Sequence, residues 1–445
     1  MSSESERMVT TELKGGLLAS LLADDGFRPE EPRSLEDTQL SPTLVESLIC
    51  KLLLNIGSLS GRKTAEHICL PFGVVDGLLQ TMRTRQIITH TGSAPLNDYV
   101  YTLTDQGRDR AQAYMRSCAY FGPAPVSLDD YITSVEAQSV RNETPREEDL
   151  QRAFEGLSVE PGLFDRLGPA VNSGAGLFLY GAPGNGKTTL AKRITACYGQ
   201  EIWIPRTVAD DGQFIKLFDA AFHEPVERQE SSIIKTAEFD RRWIKIKRPT
   251  VVVGGELTMD SLEIRFDPIN NICEAPLQMK SNCGSLLIDD FGRQRMQPQE
   301  LLNRWIVPLE NRIDYLALPN GKKIQVPFEQ LIIFSTNLEP TDLTDDAFLR
   351  RIPYKIEVED ASPEEFHSLF QIFCKQFGCK YDEEAVTHLM EKHYLPVKRP
   401  FRRCQPRDLL TQIRNYCVYK GFPMEMRPEY FDLVVGSYFT VVAGD

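Results

Sequence analysis

Several things are missing from this 445-residue chain. No uninterrupted apolar run approaches the ~20 residues that a helix needs to span a bilayer, so membrane insertion is not expected. The polar start, Met1-Ser2-Ser3-Glu4-Ser5-Glu6-Arg7, lacks the basic-then-apolar order of a secretory signal. Ten cysteines are present, yet none forms a C-x-x-C pair, and Cys374 and Cys379 have no second ligand pair at zinc-site spacing. These absences point to a cytoplasmic protein with reduced, mostly buried thiols. Excess positive charge is missing too. Lys+Arg number 50 against 63 Asp+Glu, a formal net charge of −13. Such a balance argues against a protein that coats nucleic acid over its whole surface and leaves room for a local basic patch. The remainder is ordinary for a soluble globular chain, with 42% hydrophobic and 25% charged residues. The length suits two to four domains.

What the chain has is a phosphate-binding loop, Gly181-Ala182-Pro183-Gly184-Asn185-Gly186-Lys187-Thr188, continued by Thr189. It follows Leu177-Phe178-Leu179-Tyr180, which reads as a buried strand. It precedes a segment whose apolar positions 190, 191, 194, 197 and 198 share one helical face. Glycines let the backbone wrap a polyphosphate, and N–H groups at a helix start point at its oxygens. Lys187 is placed to reach the β- and γ-phosphates, and Thr188 to put its hydroxyl on Mg²⁺.

Leu286 to Ile288 reads as a central parallel strand that ends in Asp289 and Asp290. Asp289 is expected to hold Mg²⁺ and Asp290 to orient or deprotonate an attacking water. Leu331 to Thr336 is another buried strand, ending in Asn337, which can bond the γ-phosphate or that water. Asp345-Asp346-Ala347-Phe348-Leu349-Arg350-Arg351 then places two adjacent cations beyond it. Arg407 begins a helix near the C-terminus.

In this order, these motifs resemble the AAA+ ATPase family over about two-thirds of the chain, from Glu147 onward. The resemblance implies a P-loop α/β domain with a parallel central sheet and a C-terminal helical lid. It makes Lys187 and Thr188 Walker A, Asp289 and Asp290 Walker B, and Asn337 sensor 1. Arg350 and Arg351 look like fingers acting on a neighbouring subunit's nucleotide, and Arg407 looks like sensor 2. Leu157-Ser158-Val159 is placed beside the adenine. Most members carry Glu where this chain has Asp290, one methylene shorter. An Asn320-Gly321 turn between apolar runs signals a hairpin just before the Asn337 strand. That hairpin is similar to the pre-sensor-1 branch of the family, in which Lys322 and Lys323 would face a central pore.

Upstream, three helices over Leu44–Ile56, Lys63–Cys69 and Val74–Arg85 are expected, then strands at 87–90 and 99–103 and a helix from Asp105. This α+β order resembles a winged-helix domain, whose third helix would expose Asp76, Gln80, Thr81, Arg83 and Arg85. Lys/Arg and Asp/Glu nearly balance there, so DNA and protein both stand as targets. The long stretch between Lys187 and Asp289 holds an Ile/Lys alternation within Arg241–Arg248, read as a strand with one basic face. The expected divisions are a flexible arm with an apolar patch at Leu17–Leu22 (1–41), the winged-helix-like unit (42–116) and a linker (117–146). The α/β domain (147–355) and the lid (356–445) follow. The reading is an ATPase, an acid-anhydride hydrolase using ATP and Mg²⁺. It would form a homo-oligomeric, hexameric ring and remodel a protein client or a DNA-bound target. The alternative is an ATP-gated DNA-binding switch with little hydrolysis.

Overall fold

The computed structural model describes residues 26–157, 159–199, 201–226, 239–343 and 349–439. Five strands form the central sheet in the order Thr250–Val253, Ser285–Ile288, Leu331–Thr336, Leu177–Tyr180 and Tyr354–Glu357, and every neighbouring pair is parallel. Successive side chains on a strand point to opposite faces, and the core divides accordingly. Leu177, Leu179, Leu287 and Ile333 pack on one side with helix residues Leu167, Val171, Leu190 and Ile194. Phe178, Leu286, Ile288, Ile332 and Phe334 pack on the other with Leu301, Leu302 and Trp305. Strands covered on both faces need unbroken apolar runs, which is why these segments do not alternate in sequence. The α/β fold expected from the phosphate loop is the fold observed.

The helical C-terminal unit comprises Pro363–Phe377, Glu383–His393, Gln405–Lys420 and Pro428–Tyr438 around its own core. Ser362 and Glu365 form a capping box at its entry, and Gly378, at φ +68°, closes the first helix in the left-handed region. At the other end, helices Pro42–Ile56, Gly61–His67, Phe72–Thr84 and Asp105–Ser117 enclose a separate core with a small antiparallel sheet. The sheet order is Ser58–Ser60, Asp98–Leu103, Ile88–Ala94. Its three-residue first strand is too short to be read from sequence. Gln80, Thr81, Arg83 and Arg85 are exposed at the third helix, and Asp76 is half-buried.

Two expectations need correction. The arm was expected to be flexible to residue 41, but residues 26–41 pack against the rest. Phe27 is buried on Trp243, with ring centroids 5.4 Å apart, and Glu30 bridges to Phe239. The Leu17–Leu22 patch lies outside the described residues. The segment 117–146 was expected to be a linker without helix. It supplies strand Val126–Ser127 and helix Leu128–Ala137, in which Ser127 caps the helix by accepting from the Asp130 N–H. The cap signal Ser127-x-x-Asp130 sits directly after two prolines that mask it.

The material between Lys187 and Asp289 builds a second, mixed sheet, in the order Arg265–Asp267, Ile272–Glu274, Gln213–Lys216, Thr207–Asp210, Val126–Ser127. A separate two-stranded antiparallel sheet pairs Glu201–Pro205 with Trp243–Lys247. The lysines of the second strand meet acids, Lys245 with Glu201 and Lys247 with Glu224, so this face is ion-paired. The Asn320-Gly321 hairpin joins Ile313–Ala317 to Lys323–Pro327. Its tip touches the second sheet through Lys322 and Asp210, 2.7 Å apart, while Lys323 stays exposed.

Arg242 gathers these pieces. Its buried guanidinium pairs with buried Asp240 at 2.7 Å and donates to the carbonyls of Thr38 and Pro125 at 3.2 and 3.1 Å. Arg242→Ala leaves a buried carboxylate unpaired, a loss of about 3–5 kcal/mol. The expected outcome is a thermal midpoint well below that of exposed Arg241→Ala. Equal midpoints would show that the pair does not hold these segments.

Candidate functional site

The phosphate loop leaves strand Leu177–Tyr180 and enters helix Lys187–Ile194. Two of its glycines are obligatory. Gly181 has φ +129° and a Cβ there would lie 2.7 Å from the Val358 carbonyl oxygen. Gly184 has φ +86° and a Cβ would lie 2.6 Å from Cys404 Sγ.

Lys187 is buried, and its Nζ donates to Gly181 O at 2.8 Å, Ala182 O at 3.0 Å and Asn337 Oδ1 at 2.7 Å. Burial lowers the pKa of this ammonium, opposed by the charges of Asp290 and Asp289. The Thr188 hydroxyl donates to the Asp289 carboxylate, with oxygens 2.8 and 3.0 Å away. A hydroxyl beside a carboxylate is the hard-oxygen pair that suits Mg²⁺. When bound with a triphosphate, that ion neutralises phosphate charge.

Asp290 stands in the left-handed region at φ +50°. Its Oδ1 lies 3.4 Å from Asn337 Nδ2. Phe291 N donates to Ser335 O at 2.7 Å, and Thr336 Oγ1 donates to Phe291 O at 3.0 Å, fastening the acidic turn to the Asn337 strand. Gln294 closes the turn by donating its Nε2 to the carbonyls of Asp289 and Asp290 at 3.0 and 3.2 Å.

These groups open on one cavity of about 380 Å³. Lining it are Pro183 through Leu190, Asp289, Asp290 and Asn337, which include most of the residues expected there. Ala182 contributes its carbonyl to Lys187 instead. Leu157, Val159, Leu163, Leu369 and Phe373 supply apolar wall, and Arg403, Cys404 and Arg407 come from the helical unit. Ser158 lies outside the described residues. Arg407 is more than half exposed and pairs with Asp408 at 2.9 Å. Arg350 and Arg351 do not line the cavity. Arg350 is exposed, and Arg351 pairs with Glu310 at 2.7 Å. The preceding Asp345, Asp346, Ala347 and Phe348 lie outside the described residues.

Sequence reasoning missed the contacts that tie the helical unit to the loop. Cys404 N donates to Gly184 O at 2.9 Å. Asn185 Nδ2 donates to Asp360 Oδ1 at 2.8 Å and to Val358 O at 3.2 Å, and Asp360 also pairs with Arg402. Arg403 reaches the cavity while bonded to Glu365 at 3.0 Å. The Arg402-Arg403 doublet ahead of the Gln405–Lys420 helix was the available signal.

Among known proteins, a family model described as a domain of unknown function (DUF8689) matches residues 362–437, the helical unit. No curated protein matches the chain. Among solved structures, NtrX from Brucella abortus is similar at 15% identity and a TM-score of 0.39, covering 67% of this chain and 55% of NtrX. NtrX has also been crystallised with ATP, and that structure is similar at a TM-score of 0.37. RuvB of Thermotoga maritima is similar at 12% identity and a TM-score of 0.35, covering 67% of this chain and 72% of RuvB. This chain thus spans little more than half the length of NtrX. At these scores the likenesses bear on neither ligand nor partner. The P-loop α/β assignment stands on the parallel sheet, its strand order and the loop geometry. No helix among the described residues is long and apolar enough to cross a membrane.

The backbone of Asp290 has a measurable consequence. A left-handed residue bearing a Cβ costs roughly 1–2 kcal/mol, and glycine escapes that cost. Asp290→Gly and Asp290→Ala lose the same carboxylate, so they differ by the backbone alone. Chemical denaturation is expected to find Asp290→Gly more stable by about 1 kcal/mol. If the alanine variant is as stable, the turn does not impose this conformation.

Proposed function

We propose that the chain is an Mg²⁺-dependent ATPase that acts as a head-to-tail, hexameric ring and remodels a target held by its N-terminal, winged-helix-like unit. One observation carries the reading. A buried ammonium, a hydroxyl–carboxylate pair, a second carboxylate and an amide converge on one cavity with an apolar wall. Lys187 supplies positive charge to the β- and γ-phosphates, and the N–H groups at the start of its helix face the same anion. Asp290 accepts a proton from, or orients, the water that attacks the γ-phosphorus, with Asn337 beside it. Arg407 reaches the ligand from the helical unit, so lid position follows nucleotide state.

Arg350 and Arg351 line no part of their own chain's cavity, which supports action on a neighbouring subunit's nucleotide. Such an arrangement requires a heterologous interface, and rotation closes it into a ring. For the target, a protein is favoured over DNA. The arginines at the third helix of the N-terminal unit are already engaged, Arg83 with His90 at 2.9 Å and Arg85 with Glu46 at 2.5 Å. The second reading, an ATP-gated DNA-binding switch, draws on Asp290, whose shorter arm and left-handed backbone set its carboxylate differently from a glutamate.

Steady-state ATP turnover and native mass test both. Lys187→Ala is expected to lose nucleotide retention and turnover together. Asp290→Asn is expected to keep nucleotide and lose turnover by about 10²–10⁴-fold, the range for a general base. Arg350→Ala/Arg351→Ala is expected to bind ATP yet hydrolyse it about 10³-fold more slowly. A double-arginine variant that turns over normally as a monomer refutes the trans role. Negligible wild-type turnover with ATP-dependent retention on duplex DNA selects the switch.

A further inference from the structure

Away from the nucleotide cavity, the helical unit brings two imidazoles onto one carboxylate. His388 lies within helix Glu383–His393, His393 ends it, and Asp432 projects from helix Pro428–Tyr438. His388 Nε2 is 3.1 Å and His393 Nε2 is 2.5 Å from the same atom, Asp432 Oδ1. The two rings are inclined at 73° with centroids 6.4 Å apart, so they approach that point from different directions. Lys392 Nζ holds the other carboxylate oxygen at 2.8 Å. Among the described residues, His388, His393 and Asp432 are the only three His, Cys, Asp or Glu side chains whose ligand atoms all lie within 4.8 Å of one another.

We propose that His388, His393 and Asp432 form a Zn²⁺ site that staples helix Glu383–His393 to helix Pro428–Tyr438. The two Nε2 atoms and Asp432 Oδ1 are the protein ligands, and water takes the fourth position. Imidazole nitrogens select Zn²⁺ over Mg²⁺ or Ca²⁺, which take all-oxygen sites. Tetrahedral Zn²⁺ at ordinary bond lengths separates its ligand atoms by roughly 3.3 Å. The His388 contact is already close to that. The His393 contact has to open by about 0.8 Å, which the last residue of a helix can accommodate. Lys392 stays outside the ligand set and orients the carboxylate, as outer partners of metal sites do. The staple spans a seam already packed by Val386, Leu389, Phe431 and Val434, so the metal adds to a formed interface.

The test is Zn²⁺ titration of chelator-treated, full-length protein carrying Asp289→Asn, which removes the oxygen pair of the nucleotide cavity. One Zn²⁺ per chain and a raised thermal midpoint are expected, and Mg²⁺ is expected to produce no shift. His388→Gln, His393→Gln and Asp432→Asn are each expected to weaken binding by more than about 100-fold, and Lys392→Gln by about 10-fold, the low end for an outer partner. Metal-free melting curves and circular dichroism establish that each variant is folded. Co²⁺ is expected to give visible ligand-field bands without the near-ultraviolet absorption of a thiolate complex. No binding at micromolar Zn²⁺ overturns the proposal. So does unchanged affinity in the folded His388→Gln/His393→Gln double variant, a thiolate spectrum, or an equal shift with Mg²⁺.

Discussion

The Lys187 ammonium is the charge around which the α/β domain is arranged. Taking a charge out of water is costly unless hydrogen bonds replace its hydration. Here the replacement is three oxygens, two from the loop's own carbonyls and one from Asn337. The third exists only because strands Leu177–Tyr180 and Leu331–Thr336 are parallel neighbours with Tyr180 opposite Thr336, so both end at one level. The acidic strand, with Ile288 opposite Phe334, ends nearby and delivers Asp289 to Thr188. Sheet register therefore sets the spacing of the polar groups. All three acceptors of Lys187 are neutral. Phosphate oxygens make charge-assisted bonds that are roughly twice as strong, so a polyphosphate can displace them at a net gain.

The helical unit is joined to this centre by a different kind of contact. Its core is separate from the cores of the central sheet. What meets the loop is polar: Cys404 on Gly184, and Arg402 through Asp360 to Asn185. Small polar seams between separately packed units permit relative motion more readily than large apolar ones. The seam lies directly on the phosphate loop, and a Cβ at Gly184 would collide with Cys404. Gly184 and Cys404 are thus in direct contact across the seam.

The phosphate loop, the acidic strand, the Asn337 strand and the Asn320-Gly321 hairpin were legible because each is a local pattern with fixed offsets. Helix Leu128–Ala137 was not, since Pro123 and Pro125 outweighed a two-residue cap signal. The packing of residues 26–41 was hidden for another reason. Its partners, Arg242 and Trp243, lie some 200 positions away and carry no motif. Gln294, Asp360 and Arg403 are ordinary polar residues in sequence, and only the fold turns them toward the site. Arg350 and Arg351 are adjacent in sequence, yet their surroundings differ, one being exposed and the other held by Glu310.

The segment 117–146, read from sequence as a linker, acts as a brace. Tyr120 stacks on Phe214 with centroids 5.4 Å apart and bonds Thr207 at 2.8 Å. Lys51 from the N-terminal unit caps the Cys118 carbonyl at 3.1 Å and lies over the same Phe214 ring. Ala119 N donates to Asn270 O at 2.8 Å, and Arg242 anchors Pro125. A unit held by stacked rings, a buried guanidinium and backbone bonds at both ends of its connection does not swing freely. Under the proposed function, loop-driven motion is taken up at the polar seam of the helical unit, and a target gripped at the N-terminal unit travels with the sheet. The lid moves against both, and the force arises between subunits rather than within the brace.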